Sequence, residues 1–204
     1  MLKHDIQLVL FDLGGVLVQL NGLPFETNWF KDPARLPNLH QWDHSEVVTD
    51  FQTGRASALE FAEFSIAEFS LDTSVDNFVD TFTKWPGPLF PGVFPLIEKL
   101  KKQTKIAIYS NTNSLHWSRL MQEMQLAELF EHCFASHLIG FAKPDPEGFI
   151  YVANELKLAP ENILFLDDNP GNIAGAQKQG FIARQVQGFE EVKQNLIEFG
   201  FNVT

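Results

Sequence analysis

Three short stretches of the chain are apolar almost without interruption: residues 6–12, 105–111 and 162–168. A strand buried on both faces reads this way, because neither side of its pleat meets water. Each run ends in polar residues: Asp12, then Ser110 and Asn111, then Asp167 and Asp168. Helical spacing fills the intervals, over 93–102, 114–129, 146–158 and 172–180, and weaker strand patterns cover 131–136 and 181–186. Strands alternating with helices predict an α/β fold with a parallel sheet and right-handed crossovers. Sites in such sheets lie beyond the carboxyl ends of the strands. Asp12, Ser110, Asn111, Asp167 and Asp168 are therefore expected to converge, although the sequence keeps them far apart.

Residues 19–85 break the alternation. They are rich in Phe and Trp, Phe61, Phe64, Glu68 and Phe69 fall near helical spacing, and Thr53-Gly54 separates two helical stretches. Pro86-Gly87-Pro88 and Pro91-Gly92 close the segment. The pattern predicts a helical lobe, 19–85, inserted after the first strand and lying over the site, with 1–18 and 86–204 forming the core. The alternative is that these helices simply extend the core.

Composition narrows the partners. With 204 residues and 45% hydrophobic content, the chain is expected to fold around one good core with room for a small second lobe. A formal net charge of −11 disfavours nucleic acid and anionic membranes. The lone Cys133 excludes an internal disulfide and suits a reducing compartment, and no signal peptide or membrane-length apolar run is visible, so a cytoplasmic protein is expected.

The convergent residues suggest chemistry. Asp12, Asp167 and Asp168 repel one another unless a cation sits among them. Oxygen donors without nearby His or Cys favour a hard cation, Mg²⁺ over Ca²⁺. Ser110 and Asn111 offer hydroxyl, amide and backbone N–H groups to an anion, and Lys143, in the loop Phe141-Ala142-Lys143-Pro144-Asp145, offers a compact positive charge. Cation, lysine and donors together equip a site for phosphoryl transfer. Asp12, on the most central predicted strand, is the candidate nucleophile for an aspartyl-phosphate. Other polar residues carry blander readings. Gly15 reads as a backbone necessity, since there is neither a G-x-G-x-x-G nor a Walker loop, and Cys133 reads as packing. His40 and His44 are spaced as ligands on a helix, but no third ligand is in view. Arg55, in Thr53-Gly54-Arg55-Ala56-Ser57, is a candidate substrate contact.

Four segments, Phe11-Asp12-Leu13-Gly14-Gly15-Val16-Leu17, Tyr109-Ser110-Asn111-Thr112-Asn113, Ala142-Lys143-Pro144-Asp145 and Phe165-Leu166-Asp167-Asp168 with Asn172 beyond, resemble the motifs of the haloacid dehalogenase superfamily of phosphatases, in its order and spacing. The wording around Ser110–Leu115 and Asp167-Asp168-Asn169 is similar to the alpha-D-glucose-1-phosphate phosphatase branch. The resemblance implies a Rossmann-like three-layer core with a helical cap. It implies Asp12 as nucleophile and Mg²⁺ ligand, the Gly14 carbonyl as a further ligand, Ser110 and Asn111 on the phosphate, and Lys143 stabilising nucleophile and phosphoryl group. Asp168 would bind the metal directly, Asp167 directly or through water, and Asn172 would support them. Gly14 is the departure: the family usually carries there an aspartate that protonates the leaving group.

Three functions remain open on this reading. The expected one is a Mg²⁺-dependent phosphomonoesterase acting on a small phosphorylated metabolite, such as a sugar 1-phosphate, as a monomer or weak dimer. A hydrolytic dehalogenase needs no proton on the departing halide, so Gly14 costs it nothing, but it has no use for a paired Asp167-Asp168. A catalytically weak binding or regulatory protein is the third.

Overall fold

In the computed structural model, residues 5–30, 42 and 45–203 are described. Strands β1 (Leu8–Phe11), β4 (Lys105–Ser110), β5 (His132–Ala135), β6 (Ile163–Asp167) and β7 (Ile182–Gln185) form one sheet in the order β5-β4-β1-β6-β7. Its neighbouring strands pair in parallel. β1 occupies the centre, as its four fully buried residues require.

Alternation along β1 sorts the core into two layers. Val9 and Phe11 pack with Val93, Ile97 and Leu100 of α4 (Val93–Leu100) and with Val192 and Leu196 of α10 (Phe189–Glu198). Leu8 and Leu10 pack with Phe149 and Val152 of α8 (Pro146–Leu156) and with Ile173 and Ala176 of α9 (Pro170–Lys178). Helices on both faces of a parallel sheet give the expected three-layer, Rossmann-like α/β core.

Helices α1 (Glu46–Gln52), α2 (Ala58–Glu68) and α3 (Val75–Thr83) lie in the segment between β1 and β4 and share a third cluster. Phe25, Trp42, Phe51, Phe61, Phe78 and Phe82 form its centre, with the Phe51 and Phe61 rings stacked at 4.3 Å. Each such ring taken from water contributes about 1.5–3 kcal/mol. Of the aromatic residues at helical spacing, Phe61 is buried, Phe69 is partly buried and Phe64 points outward, 62% exposed. A helix stripe narrower than its run of apolar residues accounts for this. His40 and His44 lie outside the described residues.

Three local features differ from the sequence expectation. The chain leaves and re-enters the core through an antiparallel ribbon, β2 (Val18–Leu20) on β3 (Pro86–Leu89). The prolines of β3 read as punctuation, yet proline is tolerated in a ribbon with open edges. Gly87 lets the strands close up: a Cβ there would lie 2.8 Å from the Gln19 carbonyl oxygen. The single helix expected over 114–129 is interrupted. It comprises α5 (Ser114–Ser118), a π-turn over Arg119–Glu123, and α6 (Leu126–Leu129), with Gln125 left-handed between the last two. Helix α9 begins earlier than its periodicity, because Asn169 caps it and Pro170 occupies its first position. No helix among the described residues is long and apolar enough to cross a membrane.

Candidate active site

The sheet places Asp12 one residue beyond the last position at which β1 is paired, Phe11 opposite Ile108 and Leu166. Asp12 is thus level with Tyr109 and Asp167. A cavity of about 810 Å³ opens above these strand ends, a size that suits a small metabolite. Asp12, Ser110, Asn111, Lys143, Asp168, Asn172, Gly14 and Arg55 all line it.

Lys143 is the hub. Its ammonium donates to Asp12 Oδ1 at 2.7 Å, to the Tyr109 carbonyl at 2.9 Å and to Asp167 Oδ2 at 2.6 Å, so all three protons are used. Its side chain is 1% exposed. Burial alone would lower its pKa, but the Asp12 and Asp167 carboxylates outweigh burial and hold the ammonium protonated above its usual range. Asp12 is pushed upward by burial, pulled back by Lys143, and pushed again by Asp167 and Asp168.

The backbone of Lys143 is fixed by Asn111. The Asn111 amide donates to the Lys143 carbonyl at 2.8 Å, and its Oδ1 accepts from the Lys143 N–H at 2.8 Å. The Asn111 side chain thus holds the lysine loop through its oxygen and one amide N–H, while the residue also lines the cavity in which the sequence expects it to meet a phosphate. Ser110 differs: it is buried, ends β4, and its hydroxyl has no partner among the described residues.

Asp167 is fully buried and saturated. Besides Lys143, it accepts from the Asn169 N–H at 2.8 Å and from the Asn172 amide at 3.1 Å on each oxygen. Asn172 therefore positions Asp167. Asp168 is less buried and lies against the turn after β1, where Gly15 has φ +69°. A Cβ at Gly15 would collide with the Asp168 carboxylate. The glycine answers to a left-handed backbone and a close approach together. Asp12, Asp167 and Asp168 each bring a carboxylate oxygen within 4.8 Å of the others. An all-oxygen cluster of this size fits a hard divalent cation, which would also relieve the carboxylate repulsion at Asp12.

Gly14 presents no side chain. A Cβ built there would meet Leu20 Cδ2 at 3.3 Å. Leu20, at the end of β2, is among the cavity residues that the sequence did not single out; Gln52, Trp85, Thr112 and His116 are others. Thr112 is buried with its hydroxyl unpartnered. Its backbone is held by Ser136, whose Oγ accepts from the Thr112 N–H and donates to its carbonyl. Arg55 occupies the turn between α1 and α2, where its Nε donates to Asp50 Oδ1 at 2.8 Å.

His116 ties the helical lobe to the core. Asn113 Oδ1 accepts the N–H groups of Leu115 and His116, so its amide donates to His116 Nδ1 at 3.1 Å. Nε2–H is left to donate to the Phe82 carbonyl of α3 at 2.7 Å. Burial lowers the His116 pKa to about 4, against the pull of that carbonyl and helped by Arg119. The unfolded chain titrates near 6.5, so this contribution is whole above pH 6.5 and is lost as pH falls toward 4. The stability gap between the wild type and His116→Gln, measured by urea unfolding, is expected to shrink by up to about 3 kcal/mol between pH 7 and pH 4. A gap independent of pH would show that His116 takes up its proton as easily in the folded protein as in the unfolded one.

A family model described as haloacid dehalogenase-like hydrolase matches residues 6–180. Phosphoglycolate phosphatase 1 of Pseudomonas aeruginosa is 23% identical over 185 residues, covering 85% of this chain and 66% of its own length, so the chain spans slightly less than two thirds of that relative. D-ribitol-5-phosphate phosphatase of Bacteroides thetaiotaomicron is 24% identical, covering 94% of this chain and 97% of its own. In solved structures, a HAD family enzyme of Bacteroides thetaiotaomicron, in complex with magnesium and inorganic phosphate, superposes with a TM-score of 0.74. It is 22% identical and covers 88% of this chain and 93% of that one, a likeness of fold.

Proposed function

The chain belongs to the haloacid dehalogenase-like hydrolases, and from that premise we propose that it is a Mg²⁺-dependent phosphomonoesterase acting on a small phosphorylated metabolite through an aspartyl-phosphate on Asp12. The observation that carries the reading is Lys143, bound at once to Asp12 and Asp167 inside a three-carboxylate cluster. Halide displacement by a carboxylate needs no cation, and such a cluster would only burden it. Asp12, Asp168 and the Gly14 carbonyl would hold the Mg²⁺, with Asp167 beside it, and the bound ion would offset negative charge on the phosphoryl oxygens.

The residues divide the rest of the work. Lys143 fixes Asp12 Oδ1, leaving Oδ2 to attack phosphorus. The new P–O bond forms as the bond to the leaving oxygen breaks. Ser110 supplies a hydroxyl to a phosphoryl oxygen, and the Asn111 clamp keeps the Lys143 charge in place. Water then attacks phosphorus, the Asp12–phosphorus linkage breaks, and the carboxylate returns. The lobe over 19–85 acts as the cap that chooses the substrate, with Arg55 as its cation.

A screen of phosphorylated metabolites with Mg²⁺, with EDTA, and beside a chloride-release assay on 2-haloacids tests this. Phosphate release should fall to background under EDTA and return with Mg²⁺. Chloride release without phosphate release would establish the dehalogenase instead, and silence in both assays would leave a binding protein.

Arg55 gives a narrower expectation. Its side chain is 56% exposed and its pair with Asp50 is a surface contact, so Arg55→Ala should fold normally. KM for the best metabolite should rise about tenfold, and KM for a small aryl phosphate hardly at all, because binding lost equally from ground and transition states appears in KM. Equal effects on both substrates would remove Arg55 from the substrate site.

A further inference from the structure

One stretch of the cavity lining is built from rings and hydrocarbon that adjoin one another. Leu20 of β2 is the register partner of Pro86 in β3. Trp85 precedes Pro86, and its ring centroid lies 6.0 Å from that of His116 on α5, the helix that follows Ser110. Leu20, Pro86, Trp85 and His116 all line the cavity. By composition this wall could hydrogen-bond, through one indole N–H and two imidazole nitrogens. By partnering it cannot. The Trp85 Nε1–H donates to the Gly22 carbonyl at 3.1 Å. His116 Nδ1 accepts from the Asn113 amide, and its Nε2–H is held by the Phe82 carbonyl. The Phe82 ring also stacks on Trp85, 6.1 Å away and 21° from parallel, and lies 4.4 Å from His116. The half-buried indole is thus fixed by its N–H and by two neighbouring rings, and what it offers the cavity is π surface. A ring already fixed loses little freedom when a ligand arrives. A hydroxyl laid on such a surface gives up water without gaining a partner, whereas a flat aromatic ring gains stacking.

We propose that Trp85 is a specificity-determining residue, and that the leaving group it selects is a flat aromatic ring, so that phosphate monoesters of aromatic alcohols are preferred to those of sugars. The inference rests on the phosphatase reading and names the substrate class of that same site. Stacking of a flat ring on an aromatic side chain, together with the apolar area it covers, sets the scale of the preference at about tenfold in binding. The preference falls on binding, because Trp85 has no free proton and no lone pair to give to the reacting atoms.

The test compares substrates that differ in their rings, assayed with Mg²⁺. In the wild type, KM for 2-naphthyl phosphate should lie about fivefold below KM for phenyl phosphate, since the second ring adds area against the indole while the leaving oxygen remains phenolic. Trp85→Ala should raise KM for the naphthyl ester about tenfold and leave kcat within about twofold, as binding shared by ground and transition states requires. Trp85→Phe should keep most of the preference. Acetyl phosphate has no ring, so the wild type and both variants should hydrolyse it alike, and glucose 1-phosphate should inhibit that hydrolysis equally in all three. If the alanine variant does not fold, Trp85→Leu, bulky and apolar but without a π face, should lose the preference in its place. Equal KM values for the two aryl esters in the wild type, or a preference that survives loss of the ring, would overturn the inference. So would an equal loss with acetyl phosphate, which would make Trp85 a prop of the cavity. Glucose 1-phosphate weakened as much as the naphthyl ester would make the wall a seat for a sugar and overturn it too. In each case, acetyl phosphate hydrolysis that needs both Mg²⁺ and Asp12 would leave the phosphatase reading standing. No such hydrolysis of any of these esters would overturn both.

Discussion

Asp12→Asn is expected to cut phosphate release to background, a loss of about 10⁴-fold or more, with the fold intact. A nucleophile that works as a unit with its partners costs nearly the whole catalytic effect when removed. Asparagine keeps the shape and a hydrogen-bond acceptor for Lys143, which also retains Asp167 and the Tyr109 carbonyl. Removing one carboxylate from a crowded trio also relieves repulsion. Lys143→Met supplies the contrast. It leaves Asp12 and Asp167 buried without their counter-charge, and breaking such a pair costs about 3–5 kcal/mol. Activity and stability should therefore separate at Asp12 and fall together at Lys143. Circular dichroism, urea unfolding and phosphate release on the same preparations measure this. Near-normal Mg²⁺-dependent turnover by Asp12→Asn would end the aspartyl-phosphate mechanism.

The sequence made the core legible because burial on both faces writes itself as an uninterrupted apolar run. Once 6–12, 105–111 and 162–168 are parallel strands, geometry alone gathers Asp12, Ser110 and Asp167 at one rim. Lys143 could be assigned to the rim only through the motif order, since its loop has no period. What escaped depends on partners distant in sequence. Asn111 has the composition of an anion-binding residue, yet its amide is complementary to the backbone of a loop 32 residues away. Leu20 looks like any edge-strand leucine until the ribbon with Pro86–Leu89 folds it over Gly14. His116 carries a local signal, the cap residue Asn113 three positions earlier, but its bond to Phe82 spans 34 residues. The break at Gln125 has no glycine or proline to announce it.

Gly14→Asp should accelerate phosphorylation of Asp12 by alkyl phosphates by about 10²–10⁴, and by aryl phosphates far less. The backbone permits the change: Gly14 is not among the residues with positive φ, and the nearest obstacle is the end of the exposed Leu20 side chain, at 3.3 Å. Leu20 can give way by a few tenths of an ångström. With glycine, position 14 offers a departing alkoxide no proton; that is left to water or a residue of the cap, so poor leaving groups bear the cost. A sugar's anomeric oxygen is more acidic than an ordinary alcohol, which places sugar 1-phosphates ahead of sugar 6-phosphates for the natural protein, and aryl or acyl phosphates ahead of both. The measurement must isolate the first step by single turnover. In the steady state, slow breakdown of the aspartyl-phosphate would level all activated substrates to one kcat, and the new carboxylate would speed that breakdown for every substrate alike. If the variant folds and still phosphorylates Asp12, but speeds alkyl and aryl esters equally in the first step, then the absent acid at position 14 does not set the leaving-group preference.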